Sequence, residues 1–364
     1  MTEPVVVGLL GITHPHASAR VRALREIDGV QVVAAADDDP RLKYFTDKYD
    51  LAPVTTDELL ADERITAVMV HSKSKDMVRL ALRVLDAGKA VLVEKPGGAA
   101  LADIRQLAEA AQASGAIAQV GYNVRFAESV TRARQLLDQG LIGDVVSVSA
   151  RGAPLIGEHL TQHLNQPADM GGALWIIGCH MLDVLLSIYG RPDSVNARVR
   201  KYARLSDASS REDAAAVILT YPERQVVFDF DVYDRLEWFE SSRVTFHGTG
   251  GLLEIGILPP SVRIYLPEAR DGWSPGWTTW EASRFTTPFA RTEENKFSEL
   301  PELDNIDFFR PEMRRFVDSI RTGVPIAVPV TDALGVALVV DACYRSEQAR
   351  GADTPLEDPA LPGA

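Results

Sequence analysis

The stretch Val5-Val6-Val7-Gly8-Leu9-Leu10-Gly11-Ile12-Thr13-His14-Pro15-His16 decides the architecture. Val5–Leu10 is a continuous apolar run, as expected of a strand covered on both faces in a parallel sheet. It gives way to a turn and a predicted helix over about His14–Ile27, with Ala17, Val21 and Leu24 on one face. The same grammar repeats downstream. Strands are predicted at Val32–Ala36, Ile65–Val70, Ala90–Val93 and Ile117–Val120. A helix opens at Asp39-Pro40, and others cover Asp76–Ala87 and Leu101–Ser114. Alternating strands and helices predict an α/β, doubly wound parallel sheet, with every strand ending on one ligand-facing edge.

After Tyr122 the pattern changes. A helix over about Ala127–Gly140 precedes strands at Asp144–Arg151, Ser194–Arg200, Ala214–Thr220, Gln225–Val232, Arg243–His247, Leu252–Ile257 and Val262–Tyr265. Many alternate apolar and polar residues, which fits an open, mainly antiparallel sheet with one buried face. An apolar helix, about Gly172–Tyr189, lies between them, and helices at about Pro311–Arg321 and Thr331–Gln348 follow. Pro267–Leu303 has no period and reads as a long loop. The expected division is residues 1–122 and 123–350, the last helix being free to return to the first domain, with a flexible tail over 351–364.

Composition narrows the function classes. The chain has 364 residues and a net charge of −13, which disfavours a nucleic-acid partner. Cys179 and Cys343 are the only cysteines, so no disulfide framework is expected and a reducing, cytoplasmic setting fits. No signal peptide or membrane span is read at the N-terminus.

The turn after the first strand is the place for a dinucleotide. Gly11 stands where a glycine-rich phosphate loop needs one, while Thr13 and His16 replace the other two glycines. Thr13 is the expected N-cap and Pro15 suits the first turn. The helix start offers N–H groups to a phosphate, and His14 and His16 either add donors there or are merely solvated. The second strand ends in Asp37-Asp38-Asp39, 26 residues after Gly11. A carboxylate there accepts ribose hydroxyls and repels a 2′-phosphate, and with no arginine read beside it Asp37 selects NAD over NADP. Asp39, before Pro40, reads as a turn residue. The fourth strand ends in Glu94-Lys95-Pro96, an odd choice for structure alone. The peptide before Pro96 is a candidate cis bond. A lysine at that position can hydrogen-bond a substrate hydroxyl and ease its deprotonation.

These residues place the chain in a family. Glu94-Lys95-Pro96 after Ala87-Gly88-Lys89, Gly121-Tyr122-Asn123-Val124-Arg125-Phe126, Gly171-Gly172-Ala173-Leu174 with Gly178-Cys179-His180 and Asp183, and Asp332-Ala333-Leu334 with Ala342-Cys343-Tyr344-Arg345-Ser346 together resemble the Gfo/Idh/MocA oxidoreductases. The resemblance implies an N-terminal Rossmann domain and a C-terminal α/β domain. It further implies NAD(P)-dependent redox chemistry on a carbohydrate or cyclitol, in a homodimer or homotetramer. It makes Lys95 and His180 the catalytic pair, with Lys95 touching the reacting hydroxyl and His180 serving as acid/base. A histidine suits that task near neutral pH; its structural alternative is a core residue of an apolar helix. Gly11, Ile12, Thr13, His14, His16, Asp37, Ser72, Glu94 and Lys95 are the candidate cofactor residues. Tyr122, Glu158, His159, His163 and Asp183 are the candidate substrate residues.

The chain departs from the family pattern in places. Ile176 stands where family dehydrogenases carry an aspartate four residues before the histidine, leaving Asp183 as a candidate to orient His180. Ser72-Lys73-Ser74 replaces Thr-Pro-Asn, and Met77 replaces a histidine. His159 and His163, spaced i, i+4, could hold a metal with His180, but recognition of sugar hydroxyls with Glu158 is preferred and no metal is assigned. Trp175 reads as core or as a sugar platform. Trp273, Trp277 and Trp280 read as a carbohydrate site or a subunit interface. Arg125 reads as structural. Two other functions remain open: an NAD-retaining lyase or glycosidase working by transient oxidation, and a non-catalytic sugar-binding protein.

Overall fold

The computed structural model describes residues 4–152, 172–202, 212–232, 242–282 and 307–356. The chain forms two compact units. The first holds the described residues up to 123 and, later in the chain, 307–334; the second holds the remainder.

The first unit is a six-stranded sheet in the order β3-β2-β1-β4-β5-β6, with every pairing parallel. Its strands are β1 (Val5–Leu10), β2 (Val30–Ala36), β3 (Ala52–Pro53), β4 (Ala67–Val70), β5 (Ala90–Val93) and β6 (Ala118–Val120). Val7, Leu9, Met69 and Leu92 are fully buried, which explains the unbroken apolar runs. The chain leaves β1 toward β2 on one side and returns to β4 on the other. The crevice at that switch point lies beyond Leu10 and Val70. The helices are α1 (Pro15–Arg25), α2 (Leu42–Lys48), α3 (Thr56–Ala61), α4 (Ser74–Asp86) and α5 (Leu101–Ser114). In α4, Met77, Leu80, Ala81, Val84 and Leu85 share the buried stripe at helical spacing. A later helix, Phe309–Thr322, also belongs to this unit: Phe309, Met313, Phe316 and Val317 join the core with Ala17, Val21 and Leu24 of α1. The helix that comes back is therefore the penultimate one, and the final helix contributes only its first residues, Val330 to Leu334.

The second unit is built on a nine-stranded sheet, β14-β13-β12-β11-β7-β10-β9-β8-β15, in which only β7 and β10 pair in parallel. Its strands are β7 (Val145–Gly152), β8 (Ser194–Arg200), β9 (Ala214–Thr220), β10 (Gln225–Asp231), β11 (Arg243–Gly248), β12 (Gly251–Gly256), β13 (Ser261–Leu266), β14 (Gly276–Glu281) and β15 (Thr354–Pro355). Val217, Leu219, Val226, Phe228, Phe230 and Phe246 point to the buried face. Each aromatic among them contributes about 1.5–3 kcal/mol by leaving water. The helices are α6 (Glu128–Asp138), α7 (Cys179–Tyr189) and the greater part of α9 (Val330–Gln348), α8 being Phe309–Thr322 above. Two predictions change here. β14 lies within the expected loop, and β15 takes Thr354 and Pro355 of the expected tail into the sheet, pairing with Val195 and Ser194. Among the described residues no helix is long and apolar enough to cross a membrane.

Candidate active site

The turn after β1 is set by Gly11. Its φ is +93°, and a Cβ there would stand 2.5 Å from the His71 carbonyl carbon and the Ser72 nitrogen. No side chain fits, so the turn lies backbone to backbone against the loop after β4. Gly11 N–H donates to the Ala36 carbonyl at 2.9 Å, tying the turn to the end of β2. The cap of α1 differs from expectation. His14, not Thr13, is the N-cap: its Nδ1 accepts from the His16 N–H at 3.2 Å, and Pro15 occupies the first turn. Thr13 and Ser72 are half-buried and Ile12 is buried, so Ile12 can offer only its backbone.

Asp37 follows the last residue of β2. Its Oδ2 accepts from the Ile12 N–H at 2.8 Å and its Oδ1 from the Asp39 N–H at 2.9 Å. The carboxylate is thus fixed against the glycine turn. Burial raises its pKa, against the pull of the backbone donors. One expectation is corrected. An arginine does stand nearby: Arg41 grips both oxygens of Asp39 at 2.8 Å, and its charge also reaches Asp37.

Glu94 and Lys95 follow β5, and the Lys95–Pro96 peptide is cis. Both side chains are buried. Glu94 is the centre of a buried polar hub that the sequence does not reveal. Its Oε1 lies 3.0 Å from His16 Nδ1 and 3.7 Å from His14 Nε2, and its Oε2 pairs with Arg20. Arg20 also donates to Glu312 from two nitrogens at 2.9 Å each, to His71 Nε2 at 2.9 Å and to the Gly121 carbonyl at 3.2 Å. Gly121 has to be glycine, since a Cβ there would sit 2.2 Å from the guanidinium. Burial lowers the pKa of His14, His16 and His71, with His16 falling to about 4. Burial pushes Glu94 upward, but His16, His14 and Arg20 outweigh it and hold the carboxyl well below its usual range. The imidazoles are uncharged near neutral pH, so there Arg20 supplies the compensating charge. Neither histidine of the turn is simply solvated: His16 is buried against Glu94 and the Phe309 ring, and His14 is half-buried. Arg20, His71 and Glu312 are the residues sequence reading missed.

In the second unit His180 sits, buried, in the first turn of α7. It follows a single π-helical stretch, Leu174–Gly178, where the expectation was a continuous α-helix. Such bulges re-aim the residues after them. Ile176 lies inside the bulge and is fully buried. Asp183 is held by Arg125, with Nε to Oδ2 at 3.0 Å and a second bond to Oδ1. The structural reading of Arg125 agrees with this pairing. Tyr122, in the first unit, is fully buried. Trp175 is buried in the bulge. Trp277 and Trp280 lie on β14 rather than on a loop, under Arg263 at 4.4 Å and Arg132 at 4.1 Å respectively. Glu158, His159 and His163 lie outside the described residues.

Residues 3–122 match the family model described as an oxidoreductase family, NAD-binding Rossmann fold, and residues 134–354 match its C-terminal alpha/beta domain. A trans-1,2-dihydrobenzene-1,2-diol dehydrogenase of Bos taurus is 28% identical over 219 residues, 58% of this chain and 62% of that protein. The chain thus spans just under two thirds of the length of the first curated relatives it matches. Among solved structures, GenD2 from gentamicin A biosynthesis, in complex with NAD, is 24% identical with a TM-score of 0.78 over 98% of each chain. A levoglucosan dehydrogenase, complexed with NADH and levoglucosan, is 17% identical with a TM-score of 0.81, covering 98% of this chain and 100% of the other. At these identities the structural likenesses establish the fold. With both domain models matched across most of its length, the chain belongs to the Gfo/Idh/MocA oxidoreductase family.

Proposed function

We propose that this protein is an NAD-dependent dehydrogenase that moves a hydride between nicotinamide and a secondary alcohol of a sugar, sugar derivative or cyclitol. The carrying observation is the C-terminal edge of the parallel sheet. The glycine turn, the start of α1, the Ser72 loop and Lys95 all follow strands β1, β4 and β5 at the edge where Rossmann ligands bind. The turn suits a dinucleotide, because Gly11 lets its backbone pack directly on the Ser72 loop, setting the start of α1 at the strand end beside the fixed Asp37 carboxylate. Bound NAD would supply the hydride acceptor. The diol dehydrogenase and the levoglucosan and GenD2 structures support a polyhydroxylated substrate and NAD.

The chain's own residues then have separable tasks. Asp37 accepts the ribose hydroxyls, and its charge favours NAD over NADP. Arg41 stands beside it as a side chain able to meet a 2′-phosphate, and it would have to leave Asp39 to do so. Lys95 donates to the reacting hydroxyl and stabilises developing alkoxide. His180 takes the hydroxyl proton in oxidation and returns it in reduction, a role worth about 10²–10⁴ in rate. The test is the absorbance of reduced nicotinamide with NAD or NADP against a panel of sugars, cyclitols and vicinal diols. Substrate-dependent NADH formation is expected, with NAD preferred. Turnover of a sugar without net NADH would replace this reading with the NAD-retaining one.

A further inference from the structure

We propose that His14, His16 and Glu94 form a binding site for one divalent transition-metal ion of the zinc class. The three side chains offer one ligand atom each, and these lie within 4.8 Å of one another. Two of the three separations suit a metal. Glu94 Oε1 is 3.0 Å from His16 Nδ1 and 3.7 Å from His14 Nε2. Ligands about 2.0–2.2 Å from a tetrahedral zinc ion stand about 3.4 Å apart, between those two separations. Two imidazoles with one carboxylate favour zinc, iron(II) or cobalt(II) over magnesium or calcium, which prefer all-oxygen shells.

The site is built rather than incidental. Glu94 is fully buried at a strand end, and its second oxygen is held by Arg20, the kind of outer partner that fixes a ligating carboxylate. The two histidines flank Pro15, whose ring restricts the turn between them. His14 is only half-buried, which leaves an entry path and, with three protein ligands, an open coordination position. Lys95 and Arg20 oppose a further cation, while the carboxylates of Glu94 and Glu312 offset them. Binding shifts protons but needs no outside reagent. Each ring moves its proton from the nitrogen facing Glu94 to the opposite one, and His14 gives up its cap on the His16 N–H.

The inference goes beyond the redox reading and needs no nucleotide. Untagged protein stripped with chelator is titrated with Co²⁺, followed by Zn²⁺. One equivalent of Co²⁺ with a ligand-field absorption, displaced by Zn²⁺, is expected. His14→Ala leaves the Arg20–Glu94 pair in place and should weaken binding at least about tenfold, as should His16→Gln. His247→Ala, at an exposed position on β11, should not change it. Failure to take up metal, or equal affinity in both variants, would overturn the site. Where a variant fails to fold, X-ray absorption on zinc-loaded wild-type protein decides: an all-oxygen shell overturns the proposal and two imidazoles support it. NAD-linked turnover by metal-free protein would leave the redox reading untouched whichever way the titration falls.

Discussion

Arg20 and Glu312 meet through two parallel hydrogen bonds of 2.9 Å across 292 positions of chain, and neither side chain is exposed. The guanidinium is shared with Glu94, so two carboxylates enclose one permanent cation. Burial raises the pKa of Glu312, and Arg20 pulls it back down. Such a pair adds little net stability when intact, but breaking it leaves a buried charge short of a partner.

Glu312→Ala should therefore cost about 3 kcal/mol, the lower end for a broken buried pair because Glu94 remains on Arg20. Urea unfolding measures it. A loss below about 1 kcal/mol would mean that the guanidinium is satisfied without Glu312.

Acid should destabilise the fold earlier than the carboxylates alone would. The pKa of His16 is lowered from 6.5 to about 4. Below pH 6.5 the unfolded chain takes up a proton that the native state refuses until about pH 4. Stability is thus full above that window and falls within it, by on the order of 3 kcal/mol for His16. His14 and His71 act in the same direction. Glu94, whose native pKa is depressed, loses its contribution at still lower pH. Unfolding free energies from neutral to mildly acidic pH should show the slope, and His16→Gln should flatten it. A curve unaltered by His16→Gln would locate the titration elsewhere.

Lys95→Met and His180→Asn should each lower kcat/KM by about 10²–10⁴ while circular dichroism stays native. The two substitutions together should cost less than the sum of their separate effects if they serve one proton transfer. Full additivity, or activity retained in either variant, would count against the paired roles.

Asp37→Asn should weaken NAD by about 10- to 100-fold, the scale of hydrogen bonds to a charged acceptor, and leave NADP less affected. Arg41→Ala supplies the opposite arm by weakening NADP alone. Affinities for both nucleotides in both variants decide between these outcomes, and an unchanged NAD preference in the Asp37 variant would remove its ribose role.

The parallel sheet was legible because its signal is local. A strand buried on both faces must read as an apolar run, and α5 was predicted with both of its ends at Leu101 and Ser114. β14 was not legible because most of its residues face water, so Trp277-Thr278-Thr279-Trp280 carries no alternation. α2 begins at Leu42 rather than at Asp39-Pro40, because the Asp39 carboxylate turns back onto the Arg41 N–H and guanidinium. The candidate site divides in the same way. Gly11, Asp37 and Glu94-Lys95-Pro96 could be read at a strand end. Arg20 could not: on a helix it reads as a solvated face, and only Glu94 and the far-off Glu312 make it an interior residue. His14 displaced Thr13 as the cap for a similar reason, since its ring nitrogen reaches the His16 N–H.

The placement of Phe309–Thr322 over α1 also bears on how the chain is made. On the ribosome the nucleotide-binding half emerges first, yet a helix that shields its core and the second carboxylate for Arg20 emerge only after the whole antiparallel sheet from β7 to β14 has been synthesised. Until then the nascent first half carries bare apolar surface and an under-compensated arginine. A fragment ending near residue 122 should accordingly aggregate more readily than the 364-residue chain on refolding.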